Sequence, residues 1–206
     1  MKKKERALFV EKKLEELYPN PKAPLNHSNA FTLLIAVLLS AQTTDKRVNV
    51  VTKELFKLAP NPEKMLKLGE KKVYEYIKTC GLAPKKAKAI IETSKILLKK
   101  YKGKVPKELA QLEELPGVGH KTASVIMSQA FGKPAFPVDT HIHRLAYRWK
   151  LSNGKNVDIT EKDLKRKFDE NLWNKLHLQM IFYGREFCQA RKKKCNCEIC
   201  ETVAGR

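Results

Sequence analysis

Long apolar stretches are missing from this chain. The longest run, "LLIAVLL" at residues 33–39, has seven residues, where a membrane-spanning helix needs about 20. No segment has the form of a signal peptide either, so an intracellular protein is expected, cytoplasmic and nucleoid-associated if bacterial, with no membrane partner. Sustained two-residue alternation is also absent, as are hairpin signals and any regular alternation of strand-like and helix-like segments. Those absences exclude β-sandwiches, β-barrels and doubly wound sheets, and leave an all-α fold. No internal repeat occurs, and no low-complexity segment beyond short lysine runs. Acidic residues are scarce: 22 Asp and Glu stand against 42 Lys and Arg, a net charge of +20.

Such an excess repels itself and attracts polyanions, either nucleic acid or an anionic membrane surface. The basic residues do not form one block. They occur at Lys2 to Lys4, Lys85, Lys86, Lys88, Lys99, Lys100 and Lys192 to Lys194, a scatter equally expected of a lysine-coated surface.

Four of the five cysteines fall in the tail, "CQARKKKCNCEIC", as Cys188, Cys195, Cys197 and Cys200. In a reducing compartment thiols this dense point to a metal or a cluster, because thiolates are soft ligands for zinc and iron–sulfur. Cys80 stands alone and reads as a small core residue.

The helical pattern is clear. "LLIAVLL" reads as a buried helix. In residues 85–103, Ala87, Ile90, Ile91, Ser94, Leu97, Leu98 and Tyr101 recur at helical spacing, with Pro84 suited to the first turn and Gly103 to the end. Residues 61–82 read as two short helices parted near Gly69, the first begun by Asn61 and Pro62. A further helix is expected to start at "DITEKDLKRKF", with Thr160 and Asp163 spaced as a capping box.

Between two helical segments lies "LPGVGHKTASVI", residues 115–126. It is not a nucleotide-binding P-loop: His120 separates Gly119 from Lys121, and the preceding segment is helical where a P-loop follows a strand. Gly117 and Gly119 permit a tight turn and let a ligand approach the amides around Val118, and a helix N-terminus directs those amides at an anion. A helix–hairpin–helix clamp on a DNA phosphate fits the pattern.

"LPGVGHKTA" followed by "VDTHIHRLAYR" (138–148) resembles the helix–hairpin–helix glycosylases of the endonuclease III type. "LLSAQTTDKRVN" (38–49), "CGLAPKKAKAI" (80–90) and "GREFCQARKKKC" (184–195) are similar to further segments of that family, so the resemblance runs from about Leu14 to Cys200. It implies a bifunctional DNA glycosylase that excises oxidised pyrimidines from double-stranded DNA and cleaves abasic sites by β-elimination. By that resemblance Lys121 is the catalytic amine, which must be neutral to attack and so is expected in a basic, partly buried setting. Asp139 is the matching catalytic carboxylate, although a helix N-cap explains it equally. His141 matches a residue near the DNA strand. His143 reads as plain surface, and two positions apart on a helix the pair cannot easily share one ion.

Gln42 and Leu82 match positions at which the family inserts side chains into the duplex, where an amide can bond the orphaned base and an aliphatic group can prop the gap. Leu82 by its residue type alone suggests core packing. Ser40 and Asp45 flank the implied pocket, and Asp45 suits a helix cap as well. Gly117, Val118 and Gly119 would hold phosphate, and Arg191 and Lys192 would meet it from the cysteine loop.

The tail departs from the family spacing of C-x6-C-x2-C-x5-C, since Cys197 comes early and the last interval shrinks. Four thiolates still suit a four-iron four-sulfur cluster, with zinc or no metal as alternatives. The resemblance further implies a monomer with two helical domains flanking a DNA-binding cleft: a barrel-like domain over 23–133 carrying the hairpin, and a second over 1–22 plus 134–206 carrying the cysteine loop. Lys121 and Asp139 would then face each other. Two rivals compete. An adenine-mismatch glycosylase would lack the lysine and carry a long extra C-terminal domain. A non-catalytic DNA-binding module would use the hairpin alone.

Overall fold

The computed structural model describes residues 1–191 and 195–204, apart from the side chains of Lys3 and Ala204. Among the described residues regular structure is helical throughout, with no strand, and no helix is long and apolar enough to cross a membrane. The chain separates into two compact units, residues 23–133 and residues 1–22 with 134–206.

The middle unit holds α2 (Ala30–Ser40), α3 (Asp45–Leu58), α4 (Pro62–Leu68), α5 (Glu70–Ile77), α6 (Ala83–Tyr101), α7 (Leu109–Glu113) and α8 (His120–Phe131). Its centre is α2, whose residues from Phe31 to Leu39 are all buried. A helix apolar on every side is stable in water only when neighbours surround it, and α3, α6 and α8 do so. Its start is set by a reciprocal cap: the Thr32 amide donates to Asn29 Oδ1 at 2.9 Å, and the Asn29 amide to Thr32 Oγ1 at 3.1 Å. Burying Leu33, Leu34, Ile35 and Leu39 stabilises the unit by about 1.5–3 kcal/mol per side chain.

The short helices lie where the pattern places them. Asn61 caps α4 by accepting from the Lys64 amide at 2.9 Å, and α6 begins with Pro84 in its first turn. At its end Lys102 adopts φ 52°, and the Gly103 amide closes on the Leu97 carbonyl at 2.9 Å. Cys80 is buried, as its isolation suggests. Lys86 departs from the expected surface scatter: it is buried on α6.

The other unit joins α1 (Lys3–Leu17) to α9 (Thr140–Arg148), α10 (Val157–Lys165), α11 (Trp173–Glu186) and α12 (Glu198–Ala204), with a 3-10 turn over Glu170–Leu172. Its core is built around the fully buried Trp149, which meets the edge of Tyr183 at 5.4 Å between ring centres; Phe136 stacks on Phe168 at 6.4 Å. Val10 and Leu14 carry α1 into this core. Polar contacts to α11 align it: Lys175 Nζ and Gln179 Nε2 donate to the two Glu15 carboxylate oxygens at 2.6 and 3.0 Å, and Tyr18 donates to Glu186 at 2.7 Å.

The expected start of α10 needs correction. The helix begins at Val157, capped by Asn156, which accepts from the Ile159 amide at 2.8 Å. Thr160 is buried inside the helix, with its hydroxyl donating to the Asn156 carbonyl at 2.8 Å and 2.9 Å from His143 Nδ1. His143 is therefore half-buried and tied to α10, not plain surface.

Candidate functional site

Within the middle unit the hairpin is built from α7, a turn, and α8. Leu112, Leu115 and Val118 are buried and pin the turn from inside, and Thr93 Oγ1 donates to the Pro116 carbonyl at 3.3 Å. The two glycines do different jobs. Gly117 has φ 78°, a left-handed angle that disfavours any side chain, and a Cβ there would lie 3.4 Å from Ala89 and Leu38. Gly119 has φ −92°, which any residue adopts, and a Cβ there would meet nothing within 4 Å. Its glycine is thus not needed for the turn and leaves open space at the start of α8.

Gly119 is the N-cap of α8 without a side-chain cap, and the first turn holds no acid. The opening amides thus keep the partial positive charge of a helix N-terminus. Val118 is placed differently from its neighbours. Its amide donates to the Leu115 carbonyl at 3.0 Å and its side chain is buried, so it builds the turn. His120 sits 2.7 Å from Glu113 across the hairpin. Lys121, the second residue of α8, is exposed. The partial burial expected of it is not found, because its helix position faces solvent.

Gln42 and Leu82 occupy two turns of the same unit. Both are exposed, Leu82 by 49 %, so core packing does not account for the leucine. Both also have positive φ, 54° and 60°, angles that cost roughly 1–2 kcal/mol for a residue with a side chain. Ser40 is half-buried and donates to the Val37 carbonyl at 2.7 Å, ending α2. Thr44, not Asp45, caps α3 through the Arg47 amide at 3.3 Å.

In the other unit Asp139 caps α9. Its Oδ1 accepts from the Ile142 amide at 2.9 Å, and the side chain is half-buried. A carboxylate has two oxygens, so capping through one leaves the other for chemistry. His141 follows in the first turn. Its Nδ1 lies 3.2 Å from Arg144 Nη2. Burial is the main reason that His141 is held below the usual imidazole range; the negative Asp139 opposes it, and the positive Arg144 and Arg185 add to it.

The four tail cysteines converge. Their sulfurs all lie within 4.8 Å of one another, and Cys188, Cys195 and Cys200 are buried while Cys197 is half-buried. All are free thiols, with Cys188 Sγ 3.2 Å from Cys195 Sγ and 3.8 Å from Cys200 Sγ. Four converging sulfurs at this separation, three of them buried, are a donor set for a thiophilic metal or cluster. Sequence reasoning missed what braces it. Arg144 Nη2 donates to the Cys188 and Gly184 carbonyls at 2.9 and 3.0 Å, and Arg148 Nη1 donates to Cys188 Sγ at 3.2 Å and to the Gln189 carbonyl at 3.0 Å. The signal was available: two arginines four apart share one helix face. Arg191 is exposed, and Lys192 lies outside the described residues.

Residues 35–170 match the HhH-GPD superfamily of base excision DNA repair proteins. The endonuclease III of Escherichia coli strain K12 is 46 % identical over 200 residues, covering 97 % of this chain and 95 % of its own length. The chain belongs to the endonuclease III family. The endonuclease III of Rickettsia conorii is likewise 46 % identical, over 88 % of this chain and 86 % of its own. Among solved structures, a trapped endonuclease III–DNA covalent intermediate superposes with a TM-score of 0.91 at 37 % identity, covering 97 % of this chain and 94 % of that one. A non-covalent endonuclease III–DNA complex matches equally well. The all-helical endonuclease III fold with its C-terminal cysteine group is therefore present here.

Proposed function

We propose that the protein is a bifunctional DNA glycosylase and abasic-site lyase, acting on oxidised pyrimidines in double-stranded DNA. The observation that carries this reading is the exposed Lys121 on an uncapped helix N-terminus, beside a glycine with open space at its Cβ. Phosphate held by the amides around Gly117 and Gly119 brings a deoxyribose to the amine. The neutral Lys121 Nζ attacks C1′, and the C1′–N bond to the base breaks as the base leaves with its electron pair. Loss of the ring oxygen from C1′ gives the Schiff base. Removal of a C2′ proton then expels the 3′ phosphate, and water returns the lysine. Asp139 is the carboxylate that stabilises the positive charge that develops on the sugar. A covalent intermediate is what the trapped endonuclease III structure contains.

Gln42 and Leu82 serve as the wedge that fills the space left by an extruded base. His141, Arg191 and Lys192 contact the backbone. Residues 23–133 and the remainder are two helical domains, and one copy of the chain is sufficient. Cys188, Cys195, Cys197 and Cys200 would hold a four-iron four-sulfur cluster: the donor set is four converging sulfurs, and their shortened spacing is compatible with convergence because Cys197 and Cys200 sit at the start of α12. Its role is structural, pinning the loop that carries Arg191.

Borohydride trapping on abasic-site duplex DNA tests the reading. A covalent adduct is expected from the wild type and none from Lys121→Ala. Tight DNA binding with no adduct would make the protein a non-catalytic binding module instead. The purified protein should be brown; a colourless protein with one zinc per chain would overturn the cluster.

A further inference from the structure

Lys86 is only 5 % exposed, and the reaction described above gives it no role. A buried ammonium is costly unless each of its protons has an acceptor. Here all three do: Lys86 Nζ donates to the Leu39 carbonyl at 2.8 Å, to the Ala41 carbonyl, and to Thr43 Oγ1 at 3.2 Å. The first acceptor lies in the last turn of α2, where a cation is favoured by the helix dipole. All three belong to the stretch that contains Gln42. The backbone of the same residue reaches the other prong, since the Lys86 amide donates to the Leu82 carbonyl at 3.0 Å.

The two turns are also fastened directly. Thr43 Oγ1 accepts from the Gly81 amide at 3.1 Å, and a Cβ on Gly81 would stand 2.7 Å from the Gln42 carbonyl oxygen. Two exposed residues with left-handed backbones therefore flank a backbone contact that only glycine allows. Strained conformations of this kind persist when their surroundings over-determine them.

We infer that Lys86 is a positioning residue that locks Gln42 and Leu82 into one rigid two-pronged wedge before DNA arrives. The inference rests on the wedge reading of those two residues and deepens it. A preformed wedge does not have to order two turns while a base is being unstacked, so the benefit appears where a base must be extruded. It is smaller at an abasic site, which has already lost the base.

The test compares two substrates on the same sequence: a duplex with thymine glycol opposite 2-aminopurine, and the same duplex with a preformed abasic site. Lys86→Met keeps the buried stem and removes the donors. Its single-turnover excision should fall about tenfold or more, with loss of the 2-aminopurine fluorescence rise, while borohydride trapping on the abasic duplex changes less than about threefold. Thr43→Val should move the same way, and Thr43→Ser should restore excision; this pair carries the test if Lys86→Met does not fold. Equal loss on both substrates would mean a general structural role and overturn the inference. Wild-type excision by Lys86→Met, with excision impaired in Gln42→Ala or Leu82→Ala, would also overturn it while leaving the wedge intact. Wild-type excision in both of those alanine variants would remove the wedge reading and the inference together.

Discussion

Alanine at Gly117 and alanine at Gly119 should act in opposite ways, although the two glycines are separated by one residue. At Gly117 the φ of 78° would be imposed on a residue with a Cβ, at a cost of roughly 1–2 kcal/mol. The new methyl would touch Ala89 and Leu38 at 3.4 Å, an ordinary contact that adds little. For a chain of this size, 1 kcal/mol moves the melting temperature by about 2–4 °C, so Gly117→Ala should melt roughly 2–8 °C below wild type. At Gly119 the backbone is already in a common region and the methyl meets nothing within 4 Å. There the lower entropy of the unfolded chain should leave stability unchanged or raise it by up to about 1 kcal/mol. That same methyl would, however, occupy the space in front of the α8 amides. If phosphate is held there, Gly119→Ala should bind abasic-site duplex at least about tenfold more weakly, the loss of about one hydrogen bond to a charged group. Calorimetry and fluorescence anisotropy at one fixed salt concentration read the two effects separately. A Gly119→Ala protein that binds DNA like wild type would refute the phosphate clamp. A Gly117→Ala protein as stable as wild type would refute the assignment of strain to that turn.

Asp139 is expected to separate capping from chemistry. Asp139→Ala should lose about 0.5–2 kcal/mol of stability with the cap, whereas Asp139→Asn should keep the cap and stability yet excise roughly a hundredfold more slowly; equal excision by Asp139→Asn and wild type would dismiss the carboxylate. His141 predicts a pH dependence. Its native pKa is depressed, so below about 6.5 the unfolded chain takes up a proton that the native protein does not, and stability falls as pH falls through that value. His141→Gln should flatten this slope in melting experiments between about pH 5 and 7, and an unaltered slope would contradict it. Removing the metal or cluster with chelator and oxidant should weaken DNA binding in anisotropy while Lys121 still forms an adduct at saturating DNA. Simultaneous loss of both would assign the cysteine group a part in the reaction.

Much of the architecture was legible along the chain. The apolar run at 33–39 declared a buried helix, Asn61 with Pro62 declared a helix start, and the crowded cysteines declared a donor set, because each signal is local: one turn of helix or one short segment carries it. The family motifs singled out Lys121 and Asp139 as candidates for the same reason. Folding alone settled the rest. Lys86 shares the α6 face of Ala83 and Ile90, but nothing in "APKKAKAI" shows what would bond its ammonium there, because its acceptors lie up to 47 residues away. Leu82 looks like core by composition and is exposed because its turn is held left-handed by contacts with the distant 41–43 stretch. Arg144 and Arg148 reach a sulfur and carbonyls about 40 residues on, and α1 finds its partner α11 at the far end of the chain. Periodicity reports which face of an element is apolar; which element covers that face, and which polar groups are trapped beneath it, is determined by packing between segments remote in sequence.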